Sequence, residues 1–567
     1  MTIDRRKLLG LLGVSGAAAA SEAVAAPAGA YAGPVAFEHG VASGDPGPNA
    51  VILWTRVTPK QATTADIPVE LEVAKDPAFK TILRRTKGLV APAARDWTVK
   101  HDLTGPDLKP ATEYWYRFKA GDAVSPIGRT KTLPVGPTTD AVLAVVSCSL
   151  YPNGYFNAYD AIAKLKRVDA VLHLGDYIYE YGAAPGDYGM NSPVAKLRTP
   201  QPPREILSLA DYRQRHALYK TDPASQAAHA RAPWIVVWDD HETANDSWTG
   251  GAENHQPATE GDWATRKAAA LKAYYEWMPI REPAPGALPE AAWRGFQFGD
   301  VATLLMTETR LTARTHQLSY ETDLTFVDGK PDAAAFIAKW KDPSRRMMGE
   351  GQEQWLAKSV GESMKAGVAW QVLGNQVVMA RVAPADLRKT MGDQAYAAAM
   401  AKLPAYVQKR VAESAAMSAY DIPSNLDSWD GYPADRQRVY DIFSAAKARP
   451  IVLSGDSHMF WANELWNDAG DTLVAAEFGT TSVTSPGYGD AIPGAPIGEA
   501  FVQRNKEVKY VHPAAKGFLL LTLEHGKATG ELIAVSTIHA TDYTTSVLKR
   551  FVVTPAKTGG VEPLKEV

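Results

Sequence analysis

From Thr139 onward the chain alternates short, uniformly apolar runs with stretches of helical spacing, and this alternation restricts that part of it to an α/β layout. The runs are Val142–Ser147, Ala170–Leu174, Trp234–Trp238, Val301–Met306, Ala369–Leu373 and Ile451–Ser454. Tyr155–Leu165 and Ala264–Trp277 carry helical periodicity between them. Leu473–Phe478, Phe518–Leu523 and Glu531–Val535 read as later strands that complete a second, packed sheet. Ligands of open α/β sheets bind beyond the carboxyl ends of strands, so the residues that follow each run are the ones to examine.

The segment before this point has a different texture. Between Gly33 and Leu133, short alternating runs such as Val51–Val57, Pro68–Val73 and Tyr114–Phe118 are separated by breakers such as Gly44-Asp45-Pro46-Gly47-Pro48. Such spacing predicts an all-β immunoglobulin- or fibronectin-like sandwich over residues 33–135. It contains no cluster of His, Asp or Glu, so it reads as an accessory domain, joined by Pro134-Val135-Gly136-Pro137 to a catalytic domain over 139–550. Residues 551–567, rich in Pro, Gly and Lys from Pro555, read as a disordered tail.

At the N-terminus, Asp4-Arg5-Arg6-Lys7-Leu8-Leu9-Gly10 precedes an Ala/Gly/Val stretch that ends in small residues, and residues 1–32 look like a twin-arginine export signal. The stretch is short for a membrane span, and no later window supplies one. The expectation is a periplasmic or secreted protein, carried out folded by the twin-arginine machinery with no transmembrane segment in the mature chain. Folded export lets a metal be loaded first, and it suits a chain whose one cysteine forms no internal disulfide. A net charge of −3 with no basic run argues against nucleic-acid binding.

Four polar clusters each follow an apolar run: Cys148; Asp176 with Tyr179; Trp238-Asp239-Asp240-His241-Glu242 with Asn245 and Asp246; and Gly455-Asp456-Ser457-His458. Gly374-Asn375-Gln376 is a weaker fifth. Taken singly, each has an ordinary explanation: a small buried cysteine, a Gly-Asp turn, a helix start rich in carboxylates. Together they place many carboxylates at strand ends, and burying those without cations is costly. A thiolate beside a carboxylate and a phenol suits trivalent iron better than most ions.

Ser147-Cys148, Gly175-Asp176-Tyr177-Ile178-Tyr179-Glu180, Trp238-Asp239-Asp240-His241-Glu242 and Ser454-Gly455-Asp456-Ser457-His458 resemble the PhoD-like alkaline phosphatase and phosphodiesterase family, within the calcineurin-like metallophosphoesterases. The resemblance implies a four-layer αββα metallophosphoesterase domain holding Fe3+ and Ca2+. It implies that Cys148, Asp176 and Tyr179 bind iron, with Asp176 bridging to calcium. Asp240, Asp456, His458 and Asn375 complete the ligand set, Asp456 and His458 standing where relatives carry paired histidines. The implied reaction is hydrolysis of phosphate monoesters or diesters by an iron-activated hydroxide. His241 and Asn245 would be catalytic, Arg310 (with Arg314) would clamp phosphate, and Trp248 would line the entrance. Asn245-Asp246 departs from the amide pair common in relatives. The alternatives are a predominantly phosphodiesterase or phospholipase-D-like enzyme and, from another class, a non-enzymatic envelope-binding module.

Overall fold

The computed structural model describes residues 29–327, 330–403, 408, 411–412, 420 and 422–567. The arginine pair and apolar stretch of the expected export signal therefore lie outside the described residues. The first strands are β1 (Val41–Gly47), β2 (Ala50–Arg56), β3 (Ile67–Ala74), β4 (Ile82–Ala91), β5 (Thr98–Thr104), β6 (Glu113–Ala120) and β7 (Gly128–Lys131). In β6 burial alternates strictly, with Tyr114, Tyr116, Phe118 and Ala120 turned inward, the period-2 signature of a strand with one covered face. Sheet β7-β6-β3-β4 packs over β1, β2 and β5 around Val51, Leu53, Leu71, Val99 and Tyr116.

Next come β8 (Asp140–Val146), α1 (Asn157–Ala163), β9 (Ala170–His173), α2 (Leu209–Thr221), α3 (Pro223–Arg231), β10 (Trp234–Val236) and α4 (Trp263–Trp277). Strands β8, β9 and β10 run parallel. β10 in turn pairs with β1 through Trp234 and Gly44, so β1, β2 and β5 continue the same ten-stranded sheet. The N-terminal segment packs two sheets around a core of its own, and one of those sheets continues as the edge of the main sheet. Asp45 and Asp102 of that edge are held by Arg294 and Arg281 from the α/β part. Pairing between strands so far apart in the chain leaves no local mark in sequence.

The second sheet is built from β11 (Arg294–Phe298), β12 (Ala302–Met306), β13 (Trp370–Gly374), β14 (Pro450–Ser454), β15 (Phe460–Trp466), β16 (Leu473–Gly479) and β17 (Val508–His512), in the order β11-β12-β13-β14-β16-β15-β17. Its four central strands, β12, β13, β14 and β16, are parallel. The first sheet is completed by β18 (Lys516–Glu524), β19 (Lys527–Val535), β20 (Thr545–Val553) and β21 (Lys565–Glu566).

Alternate residues of one strand enter different cores, as the pleat requires. Leu143 and Val145 join Leu304, Val372, Leu453 and Phe478 between the two sheets. Ala144 and Val146 meet Tyr159, Tyr212 and Tyr274 of α1, α2 and α4 on the outer face of the first sheet. Across the molecule, Leu305, Leu373 and Val452 of the second sheet pack with Leu356, Val439 and Phe443 of helices 350–365 and 433–445.

The expectation of a disordered tail is corrected. Phe551, Val553 and Val561 are buried in the core between the sheets, and Lys565–Glu566 pairs with Phe551 and Val552. Glycines and proline there make a turn that returns Val561 to the core, bridged to Pro555, and composition alone does not separate such a turn from disorder.

Candidate metal centre

Strands β8, β9 and β10 of one sheet and β13 and β14 of the other end at the five clusters singled out in sequence. Immediately past three of those ends, the backbone enters the left-handed region at Cys148 (φ 61), Asp176 (φ 56), Asp456 (φ 59) and His458 (φ 59). That conformation is uncommon outside glycine and persists only where the surroundings enforce it. The two glycines before the aspartates allow the crowding. A Cβ on Gly175 would lie 2.3 Å from the Asp239 Cβ, and one on Gly455 would lie 2.6 Å from the Ser147 Oγ.

Three overlapping groups of candidate ligands result, the donor atoms of each lying within 4.8 Å of one another: Cys148, Asp176 and His458; Asp176, Asp240 and His241; and Asp176, Asp239, Asp240 and Asp456. Asp176 belongs to all three. Tyr179 joins the first group, its hydroxyl 3.2 Å from Asp176 Oδ2 and 3.4 Å from His458 Nε2. His458 Nδ1 lies 2.9 Å from the Pro486 carbonyl, which can only accept. The ring therefore carries its proton on Nδ1 and turns the Nε2 lone pair toward Tyr179 and Asp176, the arrangement a metal-ligating histidine needs. Asp456 and His458, expected as a pair, fall on opposite sides of Asp176: His458 beside the thiol, Asp456 among the carboxylates.

The electrostatics call for cations. Asp176 Oδ1, Asp239 Oδ2 and Asp240 Oδ1 are buried and have no hydrogen-bond partner among the described residues. Burial, and then the neighbouring carboxylates, hold Asp176 and Asp456 well above the usual carboxylate range; burial raises Asp239 to about 6 against the opposing pull of Arg310. Burial followed by Asp176 and Asp456 pushes the Cys148 thiol up as well. Anions this close and this buried repel one another unless positive charge lies between them. The donors suit metal ions: sulfur, nitrogen, phenol and carboxylate gather on one side of Asp176, and carboxylates with the His241 imidazole on the other.

Two glutamates brace the loops. Glu242 accepts the backbone N–H groups of Asp176, Tyr177 and Asp239, tying two ligand-bearing turns together. Glu180, fully buried, accepts from His241 Nδ1 at 2.7 Å, from the Asn245 backbone N–H at 2.7 Å and from Asn254 Nδ2 at 2.9 Å. His241 also stacks on Tyr179, with ring centroids 4.2 Å apart. Burial opposes its charged form, but Glu180, Asp240 and Asp176 outweigh that and hold its pKa well above the usual histidine range. The half-buried side chain of Asn245 donates to Glu253 at 3.1 Å. Beside it, burial and then Asp427 and Asp240 push the Asp246 carboxyl up. Trp248 is half-buried and stacks on His316.

Two expectations are corrected. Arg310 is 0% exposed; its Nε donates to Asp239 Oδ1 at 2.5 Å and its Nη1 to Asp427 Oδ2 at 2.6 Å. Arg314 also holds Asp427. These guanidiniums are committed to carboxylates under the site rather than presented to a substrate. Asn375 is likewise engaged: its Oδ1 accepts from Trp429 Nε1 at 2.9 Å and its Nδ2 donates to the Val377 carbonyl. Through these two bonds it braces the β13 end. Sequence reading passed over Asp239 as a ligand, although it adjoins Asp240, and over Glu180, although it closes the Gly175–Glu180 motif. Cavity volume does not locate the centre, because a cleft of about 740 Å³ lined by Arg381, Arg436, Trp466 and Lys506 contains none of these residues.

The family model described as PhoD-like phosphatase matches residues 143–532, and the model of that family's N-terminal domain matches residues 22–134. The chain is 36% identical over 512 residues to alkaline phosphatase D of Bacillus subtilis (strain 168), covering 86% of this chain and 77% of the relative. A solved structure of PhoD aligns with a TM-score of 0.75 at 31% identity, covering 95% of this chain and 93% of that one. Family models spanning both parts of the fold, together with a structural match over nearly the whole chain, lead to one conclusion: the chain belongs to the PhoD-like phosphatases and is a phosphoric ester hydrolase.

Proposed function

We propose that this phosphatase is exported, binds iron(III) beside calcium, and cleaves phosphate esters at the cluster around Asp176. The observation that carries the proposal is the segregation of donors about that residue. Cys148, Tyr179 and His458 lie on one side, and Asp239, Asp240 and Asp456, with His241 beside Asp240, on the other. A mixed sulfur, nitrogen and oxygen set suits trivalent iron, whereas a set dominated by carboxylates suits calcium. Bound there, the two ions supply the Lewis acidity that polarises a phosphoryl oxygen and neutralises the charge developing on it.

The chain's own groups do the rest. Glu180 fixes the His241 ring by its bond to Nδ1, leaving the other nitrogen to donate to a phosphoryl oxygen or to protonate the departing alkoxide. The Asn245 amide exchanges its bond to Glu253 for one to a phosphoryl oxygen. Arg310 and Arg314 hold Asp239 and Asp427 in place. Among the described residues no helix is long and apolar enough to cross a membrane. Export rests on Arg5-Arg6, and retention of an Arg5→Lys/Arg6→Lys variant inside the cell tests it.

The deciding experiment is elemental analysis with a visible spectrum on protein purified without added metal. Iron and calcium in the wild type, iron lost from Cys148→Ser, and a broad visible band lost from Tyr179→Phe are the expected results. Zinc or manganese with no such band would discard the iron assignment while leaving the phosphatase intact. Rates on a phosphate monoester and its matched diester then separate a phosphatase from a predominant phosphodiesterase.

A further inference from the structure

At the rim of the metal centre, the Trp248 indole lies on the His316 imidazole, with ring centroids 3.9 Å apart and planes 23° from parallel. His316 is exposed and Trp248 half-buried, so the pair leaves aromatic surface open to solvent beside a strongly charged site. The arrangement is built rather than incidental. Trp248 closes its own tight turn through paired backbone hydrogen bonds with Gly251, and any Cβ at Gly251 would lie 2.6 Å from the indole Cζ2. Thr249 N–H donates to the Arg314 carbonyl, and Arg345 Nη1 donates to the His316 carbonyl at 3.2 Å. Gln317 Nε2 spans the two segments by donating to the Asp246 carbonyl at 2.9 Å. Both rings are therefore fixed through their backbones to the framework that carries Asp427 and Asp246.

The reach is short. The Asp246 backbone N–H donates to Asp240 Oδ2 at 2.7 Å, and Trp248 follows two residues later. Two Cα–Cα steps of 3.8 Å keep the Trp248 Cα within about 12 Å of that carboxylate. We propose that the Trp248–His316 pair is a specificity platform on which the planar ring of an aromatic or nucleobase-bearing phosphate ester stacks while its phosphoryl group occupies the metal centre. The proposal rests on the phosphatase reading of that centre. Indole and imidazole offer no hydrogen-bond code in this geometry, so the platform selects flat rings as a class rather than one base.

The test compares adenosine 5′-monophosphate with ribose 5-phosphate, which both release a primary 5-hydroxyl of ribose and differ in the base, on the metal-loaded enzyme. The expected wild-type ratio of kcat/KM favours the nucleotide by roughly 5- to 150-fold, the range that base–aromatic stacking is worth. In Trp248→Ala and in His316→Ala the ratio falls toward one, mostly through a higher KM for the nucleotide. Trp248→Phe and His316→Phe restore it, which a merely structural role for the two side chains would not produce. A wild-type ratio near one, or a ratio unmoved by both alanine variants, overturns the platform while the hydrolysis of both esters leaves the phosphatase reading standing. Hydrolysis of neither ester overturns that reading and the platform with it.

Discussion

Arg310 offers the clearest test of how the centre is held together. Its guanidinium is wholly buried and forks between Asp239 and Asp427, with Nη2 3.7 Å from Asp240 Oδ1. Arg310→Met preserves the volume and removes the charge, leaving Asp239 buried beside Asp240 with no cation of the protein's own. Breaking a buried pair by removing one partner costs about 3–5 kcal/mol. With an unfolding entropy of about 2.1 cal/mol/K per residue, a cooperative unit of 567 residues loses about 3–4 °C in Tm for that change. The loss is largest in chelator, because a bound cation restores part of the missing charge. Arg310→Lys recovers less than half of it, since one ammonium cannot serve two carboxylates in a fixed fork. Thermal unfolding with and without chelator, beside steady-state kinetics, reads all of this. A substrate clamp makes the opposite prediction: unchanged Tm in chelator and a KM raised at least tenfold. That result would refute the buried-pair account.

Other perturbations follow from the same geometry. Glu180→Gln keeps one acceptor oxygen, replaces the other with a donor and removes the charge that raises His241, so kcat should fall about 10- to 100-fold, the value of a charge-assisted hydrogen bond. If His241 is the proton donor, the alkaline limb of the kcat profile moves to lower pH in this variant; an unmoved limb removes Glu180 from that role. Lys220, buried against Trp54, Tyr177 and His229, has its pKa held well below the ordinary lysine value by desolvation. The unfolded chain then binds a proton the native state lacks, so this group's contribution to stability rises as pH climbs toward the unfolded lysine pKa of about 10.4. Lys220→Met should accordingly be at least as stable as wild type near pH 7 and lose that advantage toward pH 10; an advantage constant over the range contradicts the neutral amine. Asp456→Gly should stabilise metal-free protein by about 1–3 kcal/mol, by removing a left-handed non-glycine residue and a half-buried carboxylate crowded by others, while abolishing activity. Lower stability of that variant in chelator would show that Asp456 is not a source of strain.

The part of this fold that sequence reveals is the part encoded by short-range pattern. The runs Val142–Ser147, Ala170–Leu174 and Ile451–Ser454 are buried strands because both of their faces are apolar, and the structure gives each face a different core. Long-range pairing is not written that way. Nothing near Gly44 announces that it lies beside Trp234, so an edge of the main sheet reads as half of a separate sandwich. The tail fails for a related reason, since Val561 is buried by strands far from it in the chain.

At the centre, the same distinction separates the residues that gather about Asp176 from those turned to other partners. Cys148, Asp176, Asp240, Asp456 and His458 come within one or a few residues of a strand end, where the direction of the chain already confines them to one side of the sheets. Arg310 and Asn375 also follow strands, yet their partners, Asp427 and Trp429, come from the segment just before the helix 433–445, which carries no strand pattern of its own. A polar side chain at a strand end can turn toward the ligand space or back toward the loop that covers it, and only the loop's position decides between them. The Gly-Asp dipeptides show what local sequence does contain. Read alone, each is an ordinary turn; in the structure, glycine is the one residue that lets Asp239 approach the chain at Gly175 and Ser147 approach it at Gly455, and the aspartate that follows is driven into the left-handed region. The turn signal was thus a trace of crowding, and the crowding exists because two sheets deliver their acidic ends to the same place.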